Sequence, residues 1–235
     1  MRVEHLAIDG SIITVEADAD LSTRISTTGW AIVPSLMRAH PFAVYPAGYT
    51  ASVEKAVRRN NAITRKAVED YDLKGGKLRV AEVRMATATG GFRDLTVGAW
   101  EGKSGCLTTS MVGTERERLI EVFDTLQFSE RSAGVAIDSP ITPQPREPQV
   151  IKEIPGLGVL NIQPAIHSTL QGIPRMRGLA TNTGELFRIR EGSNALIFVS
   201  PTSVVRIDPL TEADSREMLA MTQSLRVEWS PRSNR

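Results

Sequence analysis

The most constraining feature of this sequence is a run of four prolines within nine residues, Pro140, Pro143, Pro145 and Pro148. Proline fixes φ and has no backbone N–H, so such a run cannot continue a helix and favours an extended, semi-rigid tether. We therefore predict a proline-rich linker at 129–149. It divides the chain into a module at 1–128 and a smaller module at 150–235.

Both predicted modules end in a strand hairpin followed by a helix. Thr114 and Glu117 have the spacing of a capping box, in which each side chain satisfies a backbone N–H of the other residue, and Thr211 with Asp214 has the same spacing. The glycines at Asp9-Gly10 and in the segment 101–105 predict hairpin turns, because glycine accepts positive φ. The predicted fold class is α+β, with two modules that each consist of an antiparallel sheet and a C-terminal capped helix packed on it.

The first module is also predicted to contain a long amphipathic helix at about 50–72. Apolar residues recur there at helical spacing. The opposite side carries five cations, Lys55, Arg58, Arg59, Arg65 and Lys66. Such a basic face suits a nucleic acid or another anionic partner, whereas a solvated helix face explains the same pattern.

Residues 35–49 are predicted to be a loop, and the chain from 30 to 49 is unusually apolar. Either the loop packs on its own module or its side chains are presented to a partner. In the second alternative, the side chains that form the protein interface are Trp30, Leu36, Met37, Phe42, Tyr45 and Tyr49.

Two short segments resemble the Mog1p/PsbP-like family of small α/β domains. They are 29–34, with sequence GWAIVP, and 125–128, with sequence TLQF. The resemblance covers residues 1–128 in its organisation and implies an antiparallel sheet with helices on its faces. Because the members of that family are mostly adaptors and assembly factors, it also implies a binding role.

No catalytic, cofactor or metal signature is present in the sequence. The three histidines, His5, His40 and His167, are isolated, and Cys106 is the single cysteine. We therefore predict no catalytic residue, no cofactor and no metal site. An enzyme whose site assembles from distant residues is the alternative, with Cys106 beside His40 as the pair to look for.

The overall charge favours no particular partner, because 28 basic and 27 acidic side chains give a net charge of +1. A single cysteine fits a reducing compartment, and the sequence contains neither a signal peptide nor a membrane span. We expect a cytoplasmic protein, or one built into a particle that is assembled there. Its predicted function is protein interaction or assembly, with another protein or a second copy as partner; nucleic-acid binding through 55–66 is the alternative.

Overall fold

The computed structural model describes residues 1–50, 63–64, 68–87, 89–138, 146–189, 194–210, 213 and 215–232. The chain forms two compact units. The central unit is Thr28–Arg146, and the terminal unit combines Met1–Thr27 with Glu147–Arg235.

The described residues form eighteen strands, three α-helices and one turn of 3-10 helix, Pro34–Leu36. The strands are β1 (Arg2–Leu6), β2 (Ile12–Glu16), β3 (Ile25–Val33), β4 (Arg38–Tyr45), β5 (Ile63–Thr64), β6 (Glu69–Leu73), β7 (Gly76–Ala86), β8 (Phe92–Glu101), β9 (Cys106–Val112), β10 (Phe128–Arg131), β11 (Gly134–Ile137), β12 (Arg146–Ile154), β13 (Gly158–Pro164), β14 (Leu179–Ala180), β15 (Glu185–Arg188), β16 (Leu196–Val199), β17 (Ser203–Pro209) and β18 (Arg226–Ser230). The helices are α1 (Arg116–Thr125), α2 (His167–Leu170) and α3 (Ser215–Ser224). No helix in this described part of the chain is both long and apolar enough to cross a membrane.

The central unit is an antiparallel sheet with the strand order β3-β4-β9-β8-β7, and both β5 and β6 pair with β7. Helix α1 packs against β7 and β8 and buries Leu119, Val122 and Phe123. Close packing depends on Gly98 in β8, because a Cβ there would lie 2.7 Å from the Phe123 ring.

The terminal unit has a sheet with the order β14-β15-β16-β17-β13-β12 and a three-stranded sheet β1-β2-β18. One hydrophobic cluster joins both sheets with helix α3. Its members include Ile13 of β2, Leu160 of β13, Met221 of α3 and Trp229 of β18. The first strands of the chain are therefore part of the same core as its last helix and strand.

The two units share one strand order. With β5 left aside, the sheet order is β3-β4-β9-β8-β7-β6 in the central unit and β12-β13-β17-β16-β15-β14 in the terminal unit. The first strand of one series therefore corresponds to the first of the other, the second to the second, and so on through all six. A ten-residue helix and then a strand follow in each case, α1 with β10 and α3 with β18. Strand β18 pairs with β2, whereas β10 pairs with β11.

The predicted α+β fold of two consecutive modules is wrong, because the structure is predominantly β. The module boundaries also differ, since five residues of β18 pair with β2 near the start of the chain. A ladder between residues about two hundred positions apart leaves no local signal in the sequence. The predicted linker includes β11 and the first residues of β12, while 139–145 lie outside the described residues.

The predicted caps and the predicted long helix also need correction. Helix α1 has Glu115 as its N-cap residue, and no side chain makes a capping hydrogen bond there, so the capping box with Thr114 does not form. The second predicted cap lies outside the described residues. Of the predicted helix 50–72, residues 69–72 belong to strand β6, where Asp70 forms an ion pair with Arg79 of β7 at 3.0 Å. Residues 51–62 and 65–67 of that helix are not among the described ones.

The predicted loop at 35–49 is mostly regular structure. A turn of 3-10 helix, Pro34–Leu36, connects β3 to β4, and β4 runs to Tyr45. Alternating buried side chains such as His40, Phe42 and Val44 explain the strand, and the apolar composition of this segment reflects its place in a sheet.

Candidate binding groove on the terminal unit

Strands β13 and β17 alternate between core-facing and outward-facing residues, as strands with one buried face do. Leu160 and Ile162 of β13 and Val205 and Ile207 of β17 face the core. The residues between them face the opposite way, and the register places Asn161 of β13 opposite Arg206 of β17. Polar side chains of three neighbouring strands therefore share one face of the sheet.

A groove of about 330 Å³ lies on this polar face. Its apolar lining comes from Ile197 of β16 and Val204 of β17, and Gly172 belongs to the segment that follows helix α2. The polar lining consists of Gln149, Asn161, Gln163, Thr169, Arg206 and Asp208. This size is at the lower end of the roughly 300–1,000 Å³ typical of small-ligand sites.

A chain of hydrogen bonds holds four of the polar side chains in place. The Nε2 of Gln149 donates to Oδ1 of Asn161 at 3.1 Å, and Nδ2 of Asn161 donates to Oδ2 of Asp208 at 3.1 Å. The guanidinium of Arg206 donates through Nε to Oδ1 of Asp208 at 2.8 Å. Because these bonds fix the orientation of the Asn161 amide, the groove presents a defined pattern of donors and acceptors.

One wall of the groove belongs to the segment 165–179, which is locally braced. Oγ1 of Thr169 donates to the carbonyl of Pro164 at 2.7 Å and accepts from the backbone N–H of Ile166 at 3.0 Å. The same segment exposes four large apolar side chains, Ile166 (46%), Leu170 (41%), Met176 (71%) and Leu179 (59%). We call these four residues the apolar rim because they share the segment whose Thr169 and Gly172 line the groove; they are not themselves among its nine lining residues.

The six residues predicted as a protein interface are in different environments. Trp30 and Met37 are exposed, while Leu36 and Phe42 are buried. Tyr45 and Tyr49 stack on each other with ring centroids 3.8 Å apart. As an interface the set stays a prediction, in which Trp30 and Met37 are the residues available to a partner.

The five cations predicted to bind an anionic partner, Lys55, Arg58, Arg59, Arg65 and Lys66, lie outside the described residues. Nucleic-acid binding through them therefore stays a prediction.

Cys106 and His40 lie on opposite faces of the central sheet. Cys106 is the register partner of Tyr45 in β4, while His40 shares the buried face of that strand with Phe42 and Val44. Burial raises the pKa of the Cys106 thiol, and Glu101 beside it adds to the effect. A thiol that resists ionisation and is separated from His40 by the sheet does not form a nucleophile–base pair.

A second cavity, of about 590 Å³, lies on the central unit at the turn between β6 and β7. Its cations are Lys74, Lys77 and Lys103, and Asp72 and Glu101 also line it. The ammonium of Lys74 is already bound to two backbone carbonyls. With the charges nearly balanced, this cavity has little electrostatic preference for an anion.

No protein-family model, no curated protein and no solved structure matches the chain. The resemblance to Mog1p/PsbP-like domains stays a prediction.

Sequence reasoning missed the groove, although part of its signal is visible. The alternation of Leu160, Asn161, Ile162 and Gln163 is typical of a strand with one solvated face. What the sequence does not show is that β17 lies beside β13, because that pairing joins residues about 45 positions apart along the chain, as with Asn161 and Arg206.

Proposed function

We propose that this is a non-enzymatic binding protein that attaches to another protein through the groove and its apolar rim. The observation that carries the proposal is the position of the rim on the segment whose Thr169 and Gly172 line the groove. Exposed apolar side chains on a segment that also lines a polar cavity favour an interaction role for that segment.

The energetic basis is the burial of the rim by a partner. Transfer of a leucine- or methionine-sized side chain out of water contributes about 1.5–3 kcal/mol when burial is complete. Met176 is 71% and Leu170 41% exposed in the free chain, so a partner that covers them gains the corresponding part of this free energy. A cytoplasmic location belongs to the same proposal, and the single cysteine supports it.

Site-specific photo-crosslinking tests the proposal in the cells that naturally make the protein. A photoreactive phenylalanine analogue replaces Leu170 of the rim or, as a matched control, Leu219 of helix α3, which is 46% exposed. We expect a discrete protein adduct from position 170 and none from position 219. Equal adducts at both positions, or none at position 170, would contradict the proposal.

Sedimentation of the purified chain separates a partner protein from a second copy. If the rim joins two copies, the dimer dissociates when Leu170 and Met176 are replaced by serine. A chain that stays monomeric at high concentration, together with an adduct of a different protein, supports the proposal as stated.

A further inference from the structure

The groove has unused donors and acceptors after its internal hydrogen bonds are counted. The side-chain amide of Gln163 makes no hydrogen bond with any described residue, so it has two N–H donors and one carbonyl acceptor available. Gln149 uses Nε2 to bind Asn161, which leaves its carbonyl oxygen for a ligand. A ligand that fits must therefore both donate and accept hydrogen bonds.

The charges of the groove cancel each other. Arg206 and Asp208 are joined by short bonds, with Nη2 of Arg206 also 2.8 Å from Oδ1 of Asp208. A charged group placed among the three amides would lose hydration without gaining an unpaired counter-charge, and this is unfavourable. The groove therefore selects for an uncharged ligand.

The lining residues favour a peptide over a nucleic acid. Nucleic acids are held by cations on the phosphates and by aromatic rings on the bases, and the nine lining residues include one cation, already paired, and no aromatic ring. A peptide group has one donor and one acceptor in a single plane, which is the pattern that glutamine and asparagine amides complement. The aliphatic side chains of Ile197 and Val204 suit a small apolar side chain beside it.

We infer that the groove binds an extended, uncharged peptide segment of the partner protein, held by amide hydrogen bonds to Gln163, Gln149 and Asn161. This inference rests on the proposed function and names the part of the partner that is recognised. The rim then contacts apolar residues next to that segment.

The test uses the full-length protein and a displayed library of random linear peptides. Peptides selected on the wild-type chain are synthesised, and their dissociation constants are measured by fluorescence anisotropy. Each lost hydrogen bond to an uncharged ligand weakens binding by a factor of about 2–12, so Gln163→Ala should raise the dissociation constant several-fold. Gln163→Glu should weaken it at least as much, because it introduces a charge, and Asn161→Ala tests a second contact.

The matched control is Gln223→Ala, which removes an exposed glutamine from helix α3 and should leave the affinity unchanged. Circular dichroism of each variant checks that the fold is intact. We expect uncharged sequences to dominate the selected peptides and their binding to persist at high salt.

Three results would overturn the inference, and they differ in what they say about the proposed function. In the first, the peptides lose affinity when Leu170 and Met176 are replaced but bind the Gln163 and Asn161 variants as tightly as the wild type. Protein binding by the rim is then supported, and the groove does not take part in it. Strongly charged peptides whose binding collapses in salt show an ionic site instead. A library that yields no binder, with binding to an oligosaccharide or RNA array in its place, assigns the groove to a different ligand class.

Discussion

The ammonium of Lys74 donates to the carbonyl of Asp124 at 2.7 Å and ties the β6–β7 turn to the end of helix α1. It also donates to the carbonyl of Leu126 at 2.5 Å. Lys74 and Gly75 both have positive φ, 49° and 75°, as the central residues of a type I′ hairpin turn do. Asparagine is the residue usually found at the first of these positions, because it tolerates positive φ. Here a lysine occupies it, and the reason is its hydrogen bonds to two carbonyls at the end of the helix.

Replacement of Lys74 by asparagine should destabilise the protein even though asparagine suits the turn better. The variant loses two charged hydrogen bonds at a site that is partly solvated, and it gains a smaller amount from relief of backbone strain. We expect the free energy of unfolding to fall by about 1 kcal/mol, measured by urea denaturation.

Lys77→Asn is the matched control, because Lys77 lies just after the same turn and is also exposed. It should change the free energy of unfolding by only a few tenths of a kcal/mol, or about the scatter expected at exposed positions. Equal stability of the two variants would show that the bonds from Lys74 contribute nothing.

The hairpins were predictable from the sequence where the turn itself carries the signal. Asp9-Gly10 lies in the turn between β1 and β2, and Gly10 has the positive φ of 84° that favours glycine. The predicted turn at 101–105 also separates two paired strands, β8 and β9. Both predictions are confirmed, since each depends on residues within one turn.

The other features of the fold and the groove depend on contacts between residues far apart in the chain. Local sequence patterns do not indicate such contacts. Asp70 and Tyr71 fit a helical pattern, but the ion pair with Arg79 and the ladder to β7 make this segment a strand. The polar groove likewise needs Asn161 and Asp208, 47 positions apart, to be neighbours. Alternation indicates which residues of a strand face solvent, and the topology decides which of them meet.

Gly98→Ala should destabilise the central unit by overpacking. The added Cβ would be 2.7 Å from the Phe123 ring and 2.9 Å from Leu119, both of which belong to helix α1 and are fully buried. Extra methyl groups in a packed core typically destabilise a protein by about 1–3 kcal/mol. Urea denaturation should show a loss in this range.

The control for Gly98 is Gly172→Ala in the terminal unit, where the nearest atom to an added Cβ is the carbonyl oxygen of Thr169 at 3.7 Å. That variant should be close to wild type in stability. If Gly98→Ala were equally harmless, helix α1 would not be in close contact with β8.

Stability should fall as the pH is lowered through the range in which His5 titrates. Burial and the nearby Lys152 charge lower the pKa of His5 from 6.5 to about 4, and Nε2 of His5 has no hydrogen-bond partner in the described part of the protein. Between these values the unfolded chain binds a proton that the folded chain does not. The contribution of His5 to the free energy of unfolding is therefore fully present above pH 6.5 and is lost as the pH falls toward 4. The upper bound of this loss is about 3 kcal/mol, and residual solvation of the imidazole makes it smaller.

His5→Leu isolates this contribution, because the variant cannot bind the proton. Urea denaturation at several pH values should give a shallower decline for the variant than for the wild type. Parallel curves for the two proteins would show that His5 has an ordinary pKa in the folded state.

Lys152→Met should stabilise the protein at neutral pH. Lys152 is fully buried at 0% exposure, and its ammonium donates to the carbonyl of Thr23. Burial lowers the pKa of Lys152, and the charges of Asp20 and Glu153 oppose that effect only in part. A methionine of similar length fills the same space without a buried charge, and we expect a gain of about 1–2 kcal/mol in the free energy of unfolding.

The pH dependence provides the sharper test of Lys152. Because the folded chain releases this proton at a lower pH than the unfolded chain, the wild type regains stability as the pH rises through the lowered pKa toward 10.5. The advantage of Lys152→Met over the wild type should therefore shrink at alkaline pH. The same substitution removes a positive charge near His5, so the pKa of His5, followed by NMR, should move up toward 6.5. A variant that is less stable than the wild type at neutral pH, with an unchanged His5 titration, would show that the bond to Thr23 outweighs the burial of the charge.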